Sequence, residues 1–285
     1  MLANYAKAQG WNVVTVLNND IIGNSCSSDG VCDSTHARVL SEGPRSQGEA
    51  ELAKQIHSLG GENDSPSRNI SRYLDSLADR LNIGLDVRQI WRTDRFGRGG
   101  DHIPFLELGY PAARISVAVE NYDWQHQDLR TEKGKVYGDT IDHVDFAYLA
   151  KMTKLNVAAL AAIASAPPPP EPKVEGAVST DTTVTFDYVP GMVYWNVYAR
   201  RTDENQWGRP LVISVLSSDC MKSAPPECES GGLHHKVVLP HIRVDDWIFG
   251  VSSVSKDGFE SAVASAVPGG AFKPWVAPAK DEKKP

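Results

Sequence analysis

The sequence predicts an α/β layered region followed by an all-β sandwich, with a proline-rich linker between them. Patterns typical of helices and of strands alternate up to residue 166, whereas only strand patterns follow residue 173. The segment between them includes four consecutive prolines, residues 167–170, which cannot continue a helix and favour an extended spacer. We therefore predict domains at 1–166 and 173–270, a linker at 167–172 and a flexible tail at 271–285.

In the first region, a helix at residues 4–9 should end at Gly10, because glycine favours the position after a helix C-terminus. The valine-rich segment 11–17 shows no polar alternation and is typical of a buried parallel strand. Pro66 suits the first turn of a helix, with Ser65 as its N-cap. Further strands are predicted at 85–91 and 113–119, and a helix at 144–165 should cover the sheet with Phe146, Leu149, Met152, Leu155 and Leu160,.

In the second region, strand patterns recur at short intervals, and turns rich in Gly, Pro, Asp and Asn separate them. Segments 194–198 and 247–251 place large residues at alternate positions, as expected for a sandwich core. Residues 254–261 are similar to the last hairpin of fibronectin type III domains, so this resemblance implies a sandwich of that type. We expect Trp207 and Trp275 to be exposed, which would fit a spacer or adhesion role. The predicted strands are 182–188, 193–201, 211–216, 235–239 and 247–255.

The composition is that of a globular protein without an evident affinity for nucleic acid or membranes. Hydrophobic residues make up 41% of the 285 residues and charged residues 23%,. The net charge of -7 and the lack of a Lys/Arg stripe argue against binding to nucleic acid. No apolar run has the length of a membrane span, and residues 1–7 lack the pattern of a signal peptide.

The four cysteines form two local pairs, Cys26 with Cys32 and Cys220 with Cys228. Both pairs lie in loops rich in Ser, Gly, Asp and Pro, where a short disulfide is sterically feasible. Four free thiols are the alternative. Two disulfides would indicate an oxidising compartment, so we expect a secreted or periplasmic protein.

Three places in the first region combine polar groups in patterns that suit chemistry. Asp20 directly follows an apolar strand, at the sheet edge where α/β proteins bind ligands, although it could simply form a turn. Asp101 and His102 lie in a loop rich in glycine and arginine. Its backbone could approach a ligand closely, or it could be an ordinary charged loop. His126 lies in a polar loop, where a histidine is often just exposed to solvent.

In their order along the chain, these segments resemble motifs of the co-catalytic zinc peptidases, a family that includes the secreted bacterial aminopeptidases and the glutamate carboxypeptidase-like enzymes. The resemblance covers residues 1–166. It implies an α/β fold, with a partial zinc-aminopeptidase sheet and flanking helices, and peptide hydrolysis that releases N-terminal residues. The segments are Asn-Asn-Asp-Ile-Ile-Gly-Asn at 18–24, Gly-Arg-Gly-Gly-Asp-His-Ile-Pro-Phe at 97–105, Gly-Tyr-Pro-Ala-Ala-Arg at 109–114, Glu-Asn-Tyr at 120–122, His-Gln at 126–127 and Tyr-Gly-Asp-Thr at 137–140.

The resemblance implies a site with two zinc ions and assigns residues of this chain to it. Asp20 would be the terminal carboxylate on one ion, and His126 would be the imidazole on the other. Arg98, or less readily Arg95, would hold the substrate carbonyl. The Asp-His pair at 101–102 would shape the site without supplying ligands. The partner implied is a peptide or protein substrate.

Several groups that the family requires do not precede Asp20. A first histidine ligand, a bridging aspartate and an adjacent Glu-Glu pair should all lie before it, yet only 19 residues do, and none is His, Asp or Glu. We therefore expect Met1 to be an internal methionine of a longer enzyme. This chain would then be the truncated C-terminal half of the catalytic domain with its accessory domain, and would have little or no peptidase activity alone.

Two other functions compete with that expectation. A non-catalytic peptidase-like binding module would keep the fold and lose the metal. A metal-free hydrolase that uses Asp20, Asp101 and His102 is disfavoured, because no nucleophile elbow of the Gly-x-Ser-x-Gly type accompanies these residues.

Overall fold

The computed structural model describes residues 2–46, 49–215 and 234–266. Cys220, Cys228, Trp275 and the predicted tail lie outside these ranges. The α/β elements are α1 (Leu2–Ala8), β1 (Val16–Asn19), β2 (His36–Ser41), α2 (Ala50–Ser58), α3 (Pro66–Arg80), β3 (Asp86–Ile90), α4 (Ile103–Glu107), β4 (Ala112–Val117), β5 (Arg130–Glu132), β6 (Lys135–Tyr137) and α5 (Phe146–Ser165). The later elements are β7 (Lys173–Glu175), β8 (Thr182–Asp187), β9 (Tyr194–Arg201), β10 (Val212–Val215), β11 (His234–Leu239), β12 (Trp247–Val254) and β13 (Ala264–Ser265).

Within the described residues, β1, β4, β2 and β3 form a mixed sheet in that order. β1 runs parallel to β4 and β2 runs parallel to β3, but β4 and β2 are antiparallel. β1 begins at Val16 rather than at residue 11. Its partner β4 begins only after Pro111, whose carbonyl accepts a hydrogen bond from Val16 N (2.9 Å). The parallel pairing brings the C-terminal ends of β1 and β4 to the same edge of the mixed sheet.

Helices α3 and α5 cover one face of the mixed sheet. Ser65 Oγ accepts a hydrogen bond from Arg68 N (3.1 Å), so the predicted N-cap and the start of α3 at Pro66 are confirmed. Asp145 caps α5 in the same way, because Tyr148 N donates to Asp145 Oδ1 (3.0 Å). The core between these helices and the sheet includes Ala37, Val39, Val87, Ala113, Ile115 and Val117 from the strands, with Ile70, Leu74, Leu77, Tyr148, Met152 and Leu155 from the helices.

Apolar residues lie on every side of α5. Met152 and Leu155 are buried as predicted, but Phe146 and Leu160 are more than half exposed, because the pattern does not show which side of such a helix faces the core. Among the described helices, α5 is the one long and apolar enough to cross a membrane by length and composition. The complete burial of Tyr148, Met152 and Leu155 favours a core helix, and the absence of a membrane span stays a prediction.

The opposite face of the mixed sheet is polar. Arg38, Arg114 and Ser116 alternate with core residues along β2 and β4 and therefore point away from α3 and α5. Arg114 and Ser116 are fully buried. The segment between β3 and α4, residues 91–102, lies against Arg114, and Gly99 O accepts a hydrogen bond from Arg114 Nη1 (3.3 Å). We call this segment the arginine loop.

The strands after the linker form two antiparallel sheets within the described residues, one ordered β10-β9-β12-β13 and the other β11-β8-β7. Side chains from both sheets meet in one core, which agrees with the predicted all-β sandwich. The likeness to fibronectin type III domains and the domain boundaries stay predictions. The core includes Val174, Val184, Phe186, Trp195, Val197, Val237, Leu239, Phe249 and Val251.

The sandwich packs against α3 of the α/β region. Asp64, just before α3, forms a buried ion pair with Arg200 of β9 and accepts a hydrogen bond from Ser265 Oγ (2.6 Å). Trp207 is buried, so the prediction that it is exposed is wrong. Its Nε1 donates to Asn69 Oδ1 of α3 (3.2 Å), and the Arg200 guanidinium lies 5.0 Å from its ring centroid. The partner of this indole lies on a distant segment, so the local sequence does not show that the indole is buried.

Replacing Asp64 by alanine should destabilise the chain, because it leaves the Arg200 guanidinium buried without its anion. Loss of one partner of a buried ion pair costs about 3–5 kcal/mol, which would lower the midpoint of chemical unfolding followed by circular dichroism. The matched control is Asp203→Ala, which breaks an exposed ion pair with Arg201 and should cost less than about 1 kcal/mol. Equal effects of the two variants would contradict the buried coupling.

Candidate functional site

Asp20 and His126 follow the C-terminal ends of the adjacent parallel strands β1 and β4. The backbone N–H of Asp20 donates to Ile115 O (3.1 Å), which extends the pairing with β4 as far as Asp20. Residues 121–129, which we call the histidine loop, follow β4 and carry His126. Ligands of α/β sheets bind outside the carboxyl ends of parallel strands. The fold therefore brings the segments of both predicted metal ligands to one edge of the mixed sheet.

A buried arginine engages the Asp20 carboxylate. Asp20 Oδ2 lies 2.7 Å from Arg114 Nη1, and the side chain of Asp20 is 36% exposed while that of Arg114 is 0% exposed. The same Nη1 lies 3.4 Å from Asp94 Oδ2. Burial lowers the pKa of Arg114, and the charges of Asp94 and Asp20 oppose that shift. Arg114 therefore has two carboxylates as counterions, one exposed and one buried.

Asp94 is the buried member of this pair. Its side chain is 2% exposed, and Oδ1 accepts a hydrogen bond from Arg95 Nε (3.0 Å). Burial raises the pKa of Asp94, but the hydrogen bonds from Arg95 and the charge of Arg114 outweigh it, so the pKa is lowered. Asp94 is thus an ionised carboxylate that fixes the arginine loop to β4.

His102 and Asp101, which were predicted to shape the site together, point apart. His102 is fully buried, with Nε2 2.7 Å from Thr93 O and Nδ1 3.3 Å from Asn18 Nδ2. A neutral imidazole with its proton on Nε2 satisfies both contacts. His102 therefore links the arginine loop to β1, whereas Asp101 is exposed to solvent.

Arg98 is the ion-pair partner of a buried carboxylate. Its Nη2 lies 2.7 Å from Glu120 Oε2, and its guanidinium lies 5.7 Å from the centroid of the Tyr122 ring. Glu120 Oε1 also pairs with Arg38 Nη2 (2.6 Å). Burial raises the pKa of Glu120, but hydrogen bonds from Arg38, Arg98 and Gln125 outweigh it and bring the pKa to about 2. Glu120 is therefore charged at every physiological pH.

His126 is exposed, with a left-handed backbone φ of 58°, and its imidazole has no hydrogen-bond partner among the described residues. A disulfide joins Cys26 to Cys32, which confirms the prediction for that pair. Ser28 lies inside this disulfide loop, and its Oγ accepts a hydrogen bond from Tyr122 N (2.6 Å). The disulfide loop therefore supports the beginning of the histidine loop.

The described residues do not fit a zinc ion on their own. Among them, no group of three or more His, Cys, Asp or Glu side chains is arranged to hold a metal. Arg114 engages the Asp20 carboxylate, and the His126 imidazole is in solvent. A zinc site takes at least three protein ligands, so the site that the resemblance implies needs ligands from outside the described residues.

The sequence assigns no individual role to Asp94, Arg114 or Glu120, although Arg114 and Glu120 lie in two of the motif segments. Arg114 had a detectable signal, because it is a charged residue within an apolar strand, and a fully buried arginine nearly always has a charged partner. Asp94 had no such signal, and Glu120 had only its place in the Glu-Asn-Tyr segment. Their partners lie on other strands and loops, so only the fold shows that these carboxylates are buried.

No protein-family model matches the chain. The chain is similar to fungal proteins named probable zinc metalloprotease. It is 36% identical over 272 residues to one from Leptosphaeria maculans, 34% over 275 residues to one from Pyrenophora tritici-repentis and 34% over 268 residues to one from Pyricularia oryzae. The matches cover 94%, 94% and 90% of this chain, and 59%, 53% and 50% of the relatives. The chain thus spans only part of their length, and the matched part includes both regions.

Glu120 should make the stability of the chain depend on pH in the acid range. Its pKa in the folded chain, about 2, lies below its ordinary 4.5. Its contribution is therefore present above pH 4.5 and is lost as the pH falls towards 2. A shift of this size corresponds to roughly 3 kcal/mol. Urea unfolding between pH 2 and 7 should show that Glu120→Gln lowers the free energy of unfolding at pH 7 and that the difference from wild type shrinks towards pH 2.

The control for this measurement is Glu132→Gln, an exposed glutamate of β5. It should leave the pH profile as in wild type. A constant difference between Glu120→Gln and wild type at all pH values would mean that the Glu120 carboxylate is not stabilised in the folded chain.

Proposed function

We propose that this chain is part of a dinuclear zinc aminopeptidase, in which Asp20 and His126 each bind one of two zinc ions. The observation that carries the proposal is the similarity to fungal proteins named probable zinc metalloprotease, with 36% identity over 94% of the chain for one of them. The ordered segments around Asp20, Arg98 and His126 extend the proposal to the aminopeptidase type. The substrate would be a peptide or protein that loses its N-terminal residue.

The geometry at the sheet edge supports these roles. Asp20 is partly exposed, and Arg114 has Asp94 as a second counterion, so the charge of Arg114 stays compensated when Asp20 binds a cation. The side chain of Arg98 is 36% exposed and its guanidinium pairs with Glu120, which would leave part of it accessible to a substrate carbonyl. Asp101 and His102 supply no ligand in this proposal.

The remaining ligands and the general base would come from residues outside the described ranges. The relatives are longer than the part that this chain matches, which covers 50–59% of them, and their additional residues could include such groups. On this proposal the 285-residue chain alone has little or no peptidase activity. It would work in a secreted or periplasmic setting, which the Cys26–Cys32 disulfide supports,.

A non-catalytic binding module is the second candidate. The observation in its favour is the ion pair between Asp20 and Arg114 at 2.7 Å, in which an arginine takes the place that a metal would have beside the carboxylate. In this case the longer relatives would hydrolyse peptides through residues that this protein does not use.

Zinc content is the measurement that tests the proposal. After dialysis against metal-free buffer, the 285-residue chain should retain substoichiometric zinc, whereas the longer relative from Leptosphaeria maculans should retain about two ions per chain, as a two-metal site requires. Peptides with free and with acetylated N-termini should then be offered to both proteins. The relative should cleave only the free peptides, and the 285-residue chain should cleave neither.

Two results would contradict the proposal in different ways. Two tightly held zinc ions in the 285-residue chain, lost in Asp20→Ala and in His126→Ala, would show that this chain completes the metal site by itself. A relative without zinc, or one that cleaves acetylated peptides equally well, would exclude the aminopeptidase type.

A further inference from the structure

Glu120 contacts β2, the arginine loop and the histidine loop, the last of which directly follows it in the sequence. Its Oε1 lies 2.6 Å from Arg38 Nη2 on β2. Its Oε2 lies 2.7 Å from Arg98 Nη2 in the arginine loop and accepts a hydrogen bond from Gln125 Nε2 in the histidine loop (3.1 Å). Both carboxylate oxygens are thus used, and the side chain is 2% exposed. A single buried carboxylate therefore connects the sheet to both loops of the candidate site.

The arginine loop reaches Glu120 at two points. Besides Arg98, Arg95 Nη1 lies 3.4 Å from Glu120 Oε2. The loop is also closed on itself, because Arg98 N donates to Arg95 O (3.1 Å) and Arg95 Nη2 donates to Gly99 O (3.3 Å). The guanidinium of Arg98 is therefore placed by a folded loop that contacts Glu120 through two arginines.

The histidine loop reaches Glu120 through the residue next to His126. Gln125 N donates to Asn121 O (3.2 Å), and Gln125 Nε2 donates to Glu120. His126 itself has no hydrogen-bond partner among the described residues, so these contacts of Gln125 hold the backbone from which its imidazole extends into solvent.

We infer that Glu120 is a positioning residue, which holds the Arg98 guanidinium and the backbone at His126 in a fixed relation at the edge of the mixed sheet. Compensation of charge alone does not account for this arrangement, because Gln125 carries no charge and ties the second loop to the same oxygen as Arg98. The inference rests on the proposed function only in assigning Arg98 and His126 to one site.

Hydrogen exchange of backbone amides, followed by mass spectrometry on the full 285-residue chain, tests the inference. In Glu120→Ala, amides of the arginine loop and of the histidine loop should exchange at least roughly tenfold faster, since each loop loses a charge-assisted hydrogen bond. Amides of β8 in the sandwich, which within the described part of the chain shares no hydrogen bond or ion pair with either loop, should exchange as in wild type.

The conservative variant Glu120→Gln gives a sharper result. Gln125 Oε1 is buried and has no partner among the described residues, so its amide can rotate and accept a hydrogen bond from the new amide. Arg98, in contrast, would meet an N–H donor where it now meets an acceptor. We therefore expect faster exchange in the arginine loop, while the histidine loop keeps nearly wild-type exchange. A carboxylate that only supports the fold would loosen both loops alike.

Gln125→Ala serves as a second variant in case the Glu120 variants do not fold. It should speed exchange in the histidine loop alone, and the exposed control Glu132→Gln should change neither loop. Unchanged exchange in both loops, or an equal increase that includes β8, would overturn the inference. The experiment needs neither zinc nor substrate. If the exchange results are as expected but the relative binds no zinc, the positioning role of Glu120 stands and only the proposed peptidase function is discarded.

Discussion

Burying a guanidinium is costly unless an anion or hydrogen-bond acceptors compensate it, and this constraint organises both the candidate site and the contact between the two regions. On the polar face of the mixed sheet, Arg114 is compensated by Asp20 and Asp94. Between the regions, Arg200 is compensated by Asp64. In both cases the anion belongs to a segment distant in sequence, so the ion pairs also determine how these segments meet.

The two kinds of charge are distributed differently at the sheet edge. The cations Arg38 and Arg114 lie on strands β2 and β4, where backbone hydrogen bonds hold them. The anions Asp20, Asp94 and Glu120 lie on the connections that follow strands. Each connection is therefore attached to the sheet through its carboxylate, and the loops that carry the candidate functional groups take their shape from the strands below them. This division suits a site in which loops present chemistry on a rigid scaffold.

Features that depend on neighbours in sequence were predictable. The start of α3 at Ser65 and Pro66 needs only a cap within one turn, and the disulfide between Cys26 and Cys32 closes a short loop. The antiparallel placement of β2 beside β4 was not predictable, because β2 pairs with segments that follow it by about fifty residues or more,. Trp207 was misplaced for the same reason, since its partner Asn69 belongs to the other region.

The candidate site also has features that could be predicted from the sequence and features that could not. The positions of Asp20 and of the histidine loop at one edge follow from an apolar strand pattern and from ordered motifs. The pairing of Asp20 with Arg114, and of Arg98 with Glu120, depends on which face of a strand each side chain occupies and on where the arginine loop folds. Those facts are properties of the assembled sheet, and a motif contains no information about them.

Helix α3 constrains how the two regions of this protein can evolve. Its side towards the sheet is apolar, and its other side presents Asn69 and Arg72 to the sandwich, where Gln206 Nε2 donates to the Arg72 carbonyl (3.0 Å). A gene rearrangement that exchanged the sandwich for an unrelated module would remove the partners that these polar groups have in the sandwich. The two regions are therefore expected to be inherited together, and substitutions at Trp207 should occur in lineages that also alter the facing side of α3.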